Sequence, residues 1–174
     1  MEVEKIGSKK IYSGKVFSVR QDRVRLPAGQ IIELDIIEHN GAVVIMPVDE
    51  DGMVWFIRQY RHAAGEVLLE LPAGTLEKDE LAEASAAREV REETGMAAGN
   101  LVKIGEFYIA PGYSTEYLYI YLAKNLTPDP LPADIDEFIS VERISIQEAY
   151  QLAEKGKIRD AKTLAALLLA RKYL

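Results

Sequence analysis

Apolar and polar positions change period along the chain, and the changes mark out its elements. Between residues 10 and 39 the pattern is extended: KIYSG leads into VFSVRQDRVRL, then Pro27-Ala28-Gly29, then QIIELDIIEH. The runs flanking Pro-Ala-Gly predict a hairpin. In the second run Ile32, Leu34 and Ile36 alternate with Glu33 and Asp35, so one face is expected to be buried. After the Asn40-Gly41 turn, AVVIMPV is continuously apolar, as in a strand covered on both faces. Asp49 to Gly52 reads as another hairpin turn, followed by the strand MVWFIRQYR and one short strand, EVLLELPAG.

Residues 80–94 switch to helix formers, with Ala84, Ala87 and Val90 as the expected apolar stripe and Gly95 as the C-terminal stop. LVKIGEFYIA and TEYLYIYLAKNL return to strands around Pro111-Gly112-Tyr113-Ser114. TPDPLPADIDE is Pro-rich and acidic and predicts a loop; EFISVERI predicts a short strand. Ser145 and Glu148 form a capping box before a helix that Lys155-Gly156 stops. Asp160 then caps a last helix with Leu164, Leu167 and Leu168 expected inward. Trp55 reads as core, and the series Tyr108, Tyr113, Tyr117, Tyr119 and Tyr121, mostly of period two, reads as one face of a sheet rather than a binding stripe. The class is α+β. No βαβ alternation or phosphate-loop glycine cluster supports a doubly wound nucleotide fold.

Composition narrows this picture. At 174 residues, 48% hydrophobic and 28% charged, the chain suits one domain, or one with a small appendage. The net charge of -7 argues against nonspecific nucleic-acid binding. An acidic protein still accepts a polyanion where metal ions neutralise it locally. Without cysteine, disulfides, thiolate catalysis and Cys-based metal sites are excluded. There is no apolar signal region at the N-terminus and no run near the ~20 residues of a membrane span. A cytoplasmic protein that binds neither membrane nor nucleic acid is expected.

Candidate chemistry concentrates in GTLEKDELAEASAAREVREETGM, residues 74–96. On a helix, Glu89, Glu92 and Glu93 share one face and repel one another unless a cation or basic group compensates. Hard divalent cations take such oxygen ligands together with water and phosphate. Glu80 is placed to join the cluster or to bond Arg88, which can orient a carboxylate. Solvated acidic helix faces are common, and three glutamates alone would favour that plain reading. The spacing decides otherwise. The stretch fits Gly-x5-Glu-x7-Arg-Glu-U-x-Glu-Glu-x-Gly-U, where U is bulky and apolar, through Gly74, Glu80, Arg88, Glu89, Val90, Glu92, Glu93, Gly95 and Met96. At roughly 7% usage per specified position, chance gives such a match less than about once in a million chains.

This motif resembles the signature of the Nudix hydrolases. ELPAG before it, IRQYR upstream, the loop Ala110 to Glu116, the N-terminal Tyr-Ser-Gly-Lys-Val-Phe and Asp160-Ala161-Lys162-Thr163 resemble the ADP-ribose pyrophosphatase branch. The resemblance implies an α/β/α sandwich around a mixed sheet, spanning residues 40–174. It implies an N-terminal β-hairpin extension over residues 1–39 that is exchanged between the subunits of a homodimer. It implies Mg2+-dependent hydrolysis of ADP-ribose to AMP and ribose 5-phosphate, with Mn2+ as the alternative and two or three ions per site. Metal ligands would be the Ala73 carbonyl, Glu89, Glu92, Glu93 and an acid from the later loop, Glu137, with Asp134 and Asp136 as its neighbours. Glu92, Glu93, Glu137 and Arg88 would carry catalysis. Phe17 would stack on the base, Arg61 would meet the phosphates or terminal ribose, and Gly112 and Glu116 would line the ribose site. Glu70 would bond substrate or orient its loop. Without the resemblance, Phe17 reads as core and Arg61 equally well as a surface ion pair. Two alternatives stand beside ADP-ribose: another nucleoside diphosphate sugar such as GDP-mannose, and a Nudix domain that binds a nucleotide sugar without hydrolysing it.

Overall fold

A computed structural model of the chain describes residues 2–132 and 138–174. The chain divides into two compact units, Met1–Gly41 with Phe107–Tyr117, and Ala42–Glu106 with Leu118–Leu174.

The first unit is built on an antiparallel sheet of β1 (Glu4–Ser13), β2 (Phe17–Arg25) and β3 (Ile31–His39), in that order. The hairpin between β2 and β3 closes where predicted. Gly29 takes φ 88° and donates its N–H to the Leu26 carbonyl at 2.8 Å. β1 starts before the predicted extended region, because EKIGSKKIYS has no apolar alternation and is defined by its ladder with β2. The burial expected for Ile32 and Leu34 does not occur; each is 38% exposed. The alternation does put them on one face, opposite Val24 and Asp22 of β2, but only those two positions on the central strand are buried there. Residues 109–116 are tied to β3. The Ile37 N–H donates to the Tyr113 carbonyl at 2.8 Å and the Thr115 N–H to the Ile37 carbonyl at 2.9 Å.

The second unit centres on β4 (Ala42–Pro47), buried at every position as its continuous apolar run demands. β4 pairs antiparallel with β7 (Ala73–Thr75) and parallel with β9 (Tyr117–Pro128), and β8 (Met96–Tyr108) completes a mixed sheet in the order β7-β4-β9-β8. A second, antiparallel sheet runs β10-β5-β6, from β10 (Ile139–Ser145), β5 (Met53–Arg61) and β6 (Glu66–Glu70). The helices are α1 (Ala82–Thr94), α2 (Ile146–Glu154) and α3 (Ala161–Ala170). Val43 and Ile45 of β4, with Tyr121 and Ala123 of β9, pack against Ala86 and Val90 of α1. Val44 and Met46 point the other way, and α3 packs on β4. The result is an α+β fold with helices on both faces of a mixed sheet.

Four expectations need correction. EVLLELPAG is not one strand. Leu71-Pro72 splits it, so that β6 joins one sheet and β7 the other. The apolar stripe of α1 is Ala82, Ala86 and Val90; Ala84 is exposed and Ala87 only half-buried. The helix is rotated because the other half of its buried arc is Ser85, Glu89 and Glu93. Trp55 is half-buried rather than core, since Val54 and Phe56 take the inward positions of β5. Its Nε1 donates to Asp49 at 2.9 Å and Arg143 lies over its ring. On α3, Leu167 is buried with Thr163, Ala166 and Ala170, while Leu164 and Leu168 face out. Thr163 faces inward with its hydroxyl bonded to the Leu71 N–H and to Asp160.

Candidate active site

The junction of β7 with α1 gathers the acidic cluster. β7 pairs with β4 so that Gly74 lies opposite Val43, on the sheet face that α1 covers. A Cβ at Gly74 would lie 1.8 Å from Glu89 Oε1, so only glycine lets that carboxylate reach the β7 backbone. One turn on, Glu93 Oε2 accepts from the Ala73 N–H at 2.8 Å. Glu89 and Glu93 are both buried, at 8% and 4% exposure. Gly95 ends the helix with φ 75° and donates to the Arg91 carbonyl at 3.0 Å, a left-handed terminus that suits glycine.

Arg88 holds the acids in place. Its Nη1 donates to Glu89 at 2.7 Å and to Glu92 at 2.8 Å. Its Nε and Nη2 reach back to Glu80 at 3.1 and 3.2 Å, strapping the loop before α1. Glu80 in turn accepts from the Glu77 N–H at 2.9 Å. Partial burial opposes the Arg88 charge, but the bonds to Glu80 and the charges of Glu89 raise its pKa well above the ordinary value. Burial also pushes the Glu80 carboxyl up, and Arg88 more than offsets it, so that its pKa is lowered. The spacing of the motif is thus accounted for: one arginine serves three carboxylates, and two glycines permit a close approach and a helix end.

A Nudix domain model matches residues 38–167 of the chain. The chain belongs to the Nudix family. It is 36% identical over 169 residues to an ADP-ribose pyrophosphatase of Bacillus subtilis (strain 168), covering 96% of this chain and 91% of the relative. It is 33% identical over 168 residues to a methanol dehydrogenase activator of Bacillus methanolicus, covering 95% and 91%. Its fold matches a solved ADP compounds hydrolase with a TM-score of 0.89, over 100% of this chain and 95% of that one, at 23% identity. This Nudix chain is a hydrolase, and its family works with divalent metal ions.

The donor set fits such an ion. Every candidate ligand is an oxygen, from Glu89, Glu92, Glu93 and the Ala73 carbonyl, as hard cations require. Among the described residues, no three His, Asp or Glu side chains stand together as a metal centre by themselves. Arg88 bonds Glu80, Glu89 and Glu92, and Glu93 holds the Ala73 N–H. Glu137, with Asp134 and Asp136, lies outside the described residues.

The remaining candidates fall in both units. In the second, Arg61 forms a two-pronged bond to Glu70, Nε to Oε1 at 2.8 Å and Nη2 to Oε2 at 2.9 Å. Glu70 is 1% exposed and also accepts from Lys162. Burial pushes the Glu70 carboxyl up, but Arg61 and Lys162 together bring it below its ordinary value. The Glu70 hydrogen bond raises Arg61 in turn, more than burial lowers it. In the first unit, Phe17 opens β2, 43% exposed, with the Tyr12 ring 6.0 Å away. It lines a cavity of about 430 Å³ with Lys10, Ser13, Lys15, His39 and Thr115. Gly112 has open space where a side chain would be, and the Glu116 N–H donates to Ser114 Oγ at 3.1 Å. The sequence reading gave no part to Lys162, although Asp160-Ala161-Lys162-Thr163 had stood out as a motif.

Proposed function

We propose that this Nudix hydrolase cleaves the diphosphate of ADP-ribose to AMP and ribose 5-phosphate. The observation that carries the reading is the acidic face of α1. Glu89, Glu92 and Glu93 are held by Arg88 and the β7 backbone in a chain 36% identical to an ADP-ribose pyrophosphatase. Glu89, Glu92 and Glu93, the Ala73 carbonyl and Glu137 would hold Mg2+, two or three ions per site, with Mn2+ as the alternative. Held by these residues, divalent ions would supply neutralisation of the diphosphate and acidification of the attacking water. Arg88 fixes the direction of the Glu89 and Glu92 carboxylates. The Ala73 N–H fixes Glu93, so the charges are aimed before substrate arrives. Glu137 is the proposed acceptor of the water's proton. Arg61, paired with Glu70 before substrate arrives, binds the substrate's phosphates or terminal ribose, Gly112 and Glu116 meet the ribose, and Phe17 stacks on the base. Stacking of this kind is worth roughly 1–3 kcal/mol per base.

The protein acts as a homodimer in the cytoplasm, with its N-terminal strands exchanged. Exposed Ile11, Tyr12, Val16, Ile32 and Leu34 support the dimer as surface for a second copy to cover. No helix among the described residues is long and apolar enough to cross a membrane.

The test is a substrate panel with Mg2+: ADP-ribose, GDP-mannose, NADH, diadenosine polyphosphates and 8-oxo-dGTP, ranked by kcat/KM. ADP-ribose leads if the reading holds. Hydrolysis confined to nucleoside triphosphates would overturn it, and a lead for GDP-mannose would move the substrate while leaving the chemistry.

A further inference from the structure

Asp160-Ala161-Lys162-Thr163, at the start of α3, closes on Glu70. The Asp160 carboxylate caps α3, accepting from the Thr163 N–H at 2.9 Å and from the Thr163 hydroxyl at 2.6 Å. Thr163 Oγ1, fully buried, accepts from the Leu71 N–H at 2.9 Å and so fixes the backbone next to Glu70. Lys162 Nζ donates to Asp160 Oδ1 at 2.8 Å and to Glu70 Oε2. Arg61 Nη2 donates to that same Oε2.

The two cations on Glu70 differ in what else holds them. The Lys162 side chain is 18% exposed and is fixed at a second carboxylate that is itself locked into a helix cap. The Arg61 side chain is 38% exposed, and Glu70 is its one hydrogen-bonded carboxylate among the described residues. Arg61 is therefore the cation able to leave, and Lys162 the one that stays. Charge makes the difference matter. Arg61, Lys162, Glu70 and Asp160 sum to zero, and a buried carboxylate deprived of every cation is strongly unfavourable. With Lys162 in place Glu70 keeps a partner when Arg61 turns away; without it, Arg61 is pinned.

We propose that Lys162 is a substrate-positioning residue: it holds Glu70 so that the Arg61 guanidinium turns from Glu70 to the substrate diphosphate without stranding a buried carboxylate. This rests on the reading of Arg61 as a substrate-binding group.

The test compares Lys162→Met, Lys162→Arg and Thr163→Val with wild type in steady-state kinetics and thermal melting. Lys162→Met raises KM roughly ten- to a hundredfold, the scale of one charge-assisted hydrogen bond, while kcat stays within a few fold. Lys162→Arg, which keeps the charge, recovers most of the lost KM. Thr163→Val loses the bonds to the Leu71 N–H and to Asp160 and lowers Tm, with a KM rise well below that of Lys162→Met. In a Glu70→Gln background Lys162→Met has no further effect on KM, because the carboxylate through which it acts is gone. An unchanged KM in Lys162→Met, an equal KM rise in Thr163→Val, or a KM rise that persists with Glu70→Gln overturns the proposal. Calorimetric affinity for ADP-ribose without metal reads the same loss independently of turnover. Failure of the substrate reading is seen separately: wild type then does not hydrolyse ADP-ribose, and the comparison is made on GDP-mannose.

Discussion

Single atoms decide whether α1 can work. A Cβ on residue 74 meets the Glu89 carboxylate at 1.8 Å, and that carboxylate is the movable end of a side chain. Gly74→Ala should therefore displace Glu89 rather than break the sheet. The expected outcome is a much higher Mg2+ requirement with Tm lowered by only a few degrees, read from kcat against Mg2+ concentration beside a melting curve. Glu93→Gln is the cleaner probe of charge. An amide oxygen still accepts from the Ala73 N–H, so the fold persists, while the charge offered to a cation is lost. Turnover should fall by orders of magnitude; near-normal rates at saturating Mg2+ would remove Glu93 from the metal site. Glu70 gives a pH signature. Its folded pKa lies below the ordinary 4.5 because Arg61 and Lys162 outweigh burial. Its contribution to stability is thus fully present above 4.5 and is lost as pH falls through the lower folded value. The stability difference between wild type and Glu70→Gln, measured by urea unfolding, should shrink as pH drops from 7 to below 4.

At the scale of elements, the cap of α3 carries both stability and placement. Asp160→Ala removes the acceptor for the Thr163 N–H and hydroxyl and a partner of Lys162. Losing an N-cap costs about 1–2 kcal/mol, and in a chain of this size that lowers Tm by roughly 2–8 °C. Differential scanning calorimetry reads it directly, and an unchanged Tm would show the cap to be dispensable. The start of this helix was legible because an N-cap is local chemistry. Its buried face was not, since Leu164 and Leu168 carry the apolar signal while Thr163 and Ala166 take the inward positions. The same holds for α1. Val90 was read correctly, but half of the buried arc is Glu89, Glu93 and Ser85, which no hydrophobic period reports. The motif spacing reported them instead, because Gly74, Arg88 and the glutamates have to meet. The split between β6 and β7 was hidden for a further reason. Leu71-Pro72 passes the chain from one sheet to the other, a tertiary choice that leaves the local apolar pattern unbroken.

For the whole molecule, the first unit states its own deficit. Its three-stranded sheet exposes Ile11, Tyr12, Ile31, Ile32 and Leu34, with Val16 in the turn between β1 and β2, and a small sheet needs an apolar partner to be stable. Ile32 and Leu34 share the face whose burial the alternation had predicted. Their exposure in one copy and their pattern in the sequence are reconciled if a second copy covers them. Leu34→Glu should then split the dimer. Its neighbours across the ladder are Asp22 of β2 and, one strand further, Ser8, which bonds Asp22 at 2.6 Å. A glutamate there is tolerated in a solvated monomer, so the isolated fold survives, whereas burying it beside Asp22 at an interface is strongly disfavoured. Sedimentation at micromolar concentration should show wild type as a dimer and Leu34→Glu as a monomer with unchanged far-UV circular dichroism. If the exchanged strands also complete the substrate site, the monomer and a variant lacking residues 1–39 should both lose affinity for ADP-ribose. Their Nudix helix stays intact, so the loss would appear in KM before kcat. A fully active wild-type monomer in the same sedimentation run would refute both the dimer and the sharing of residues across it.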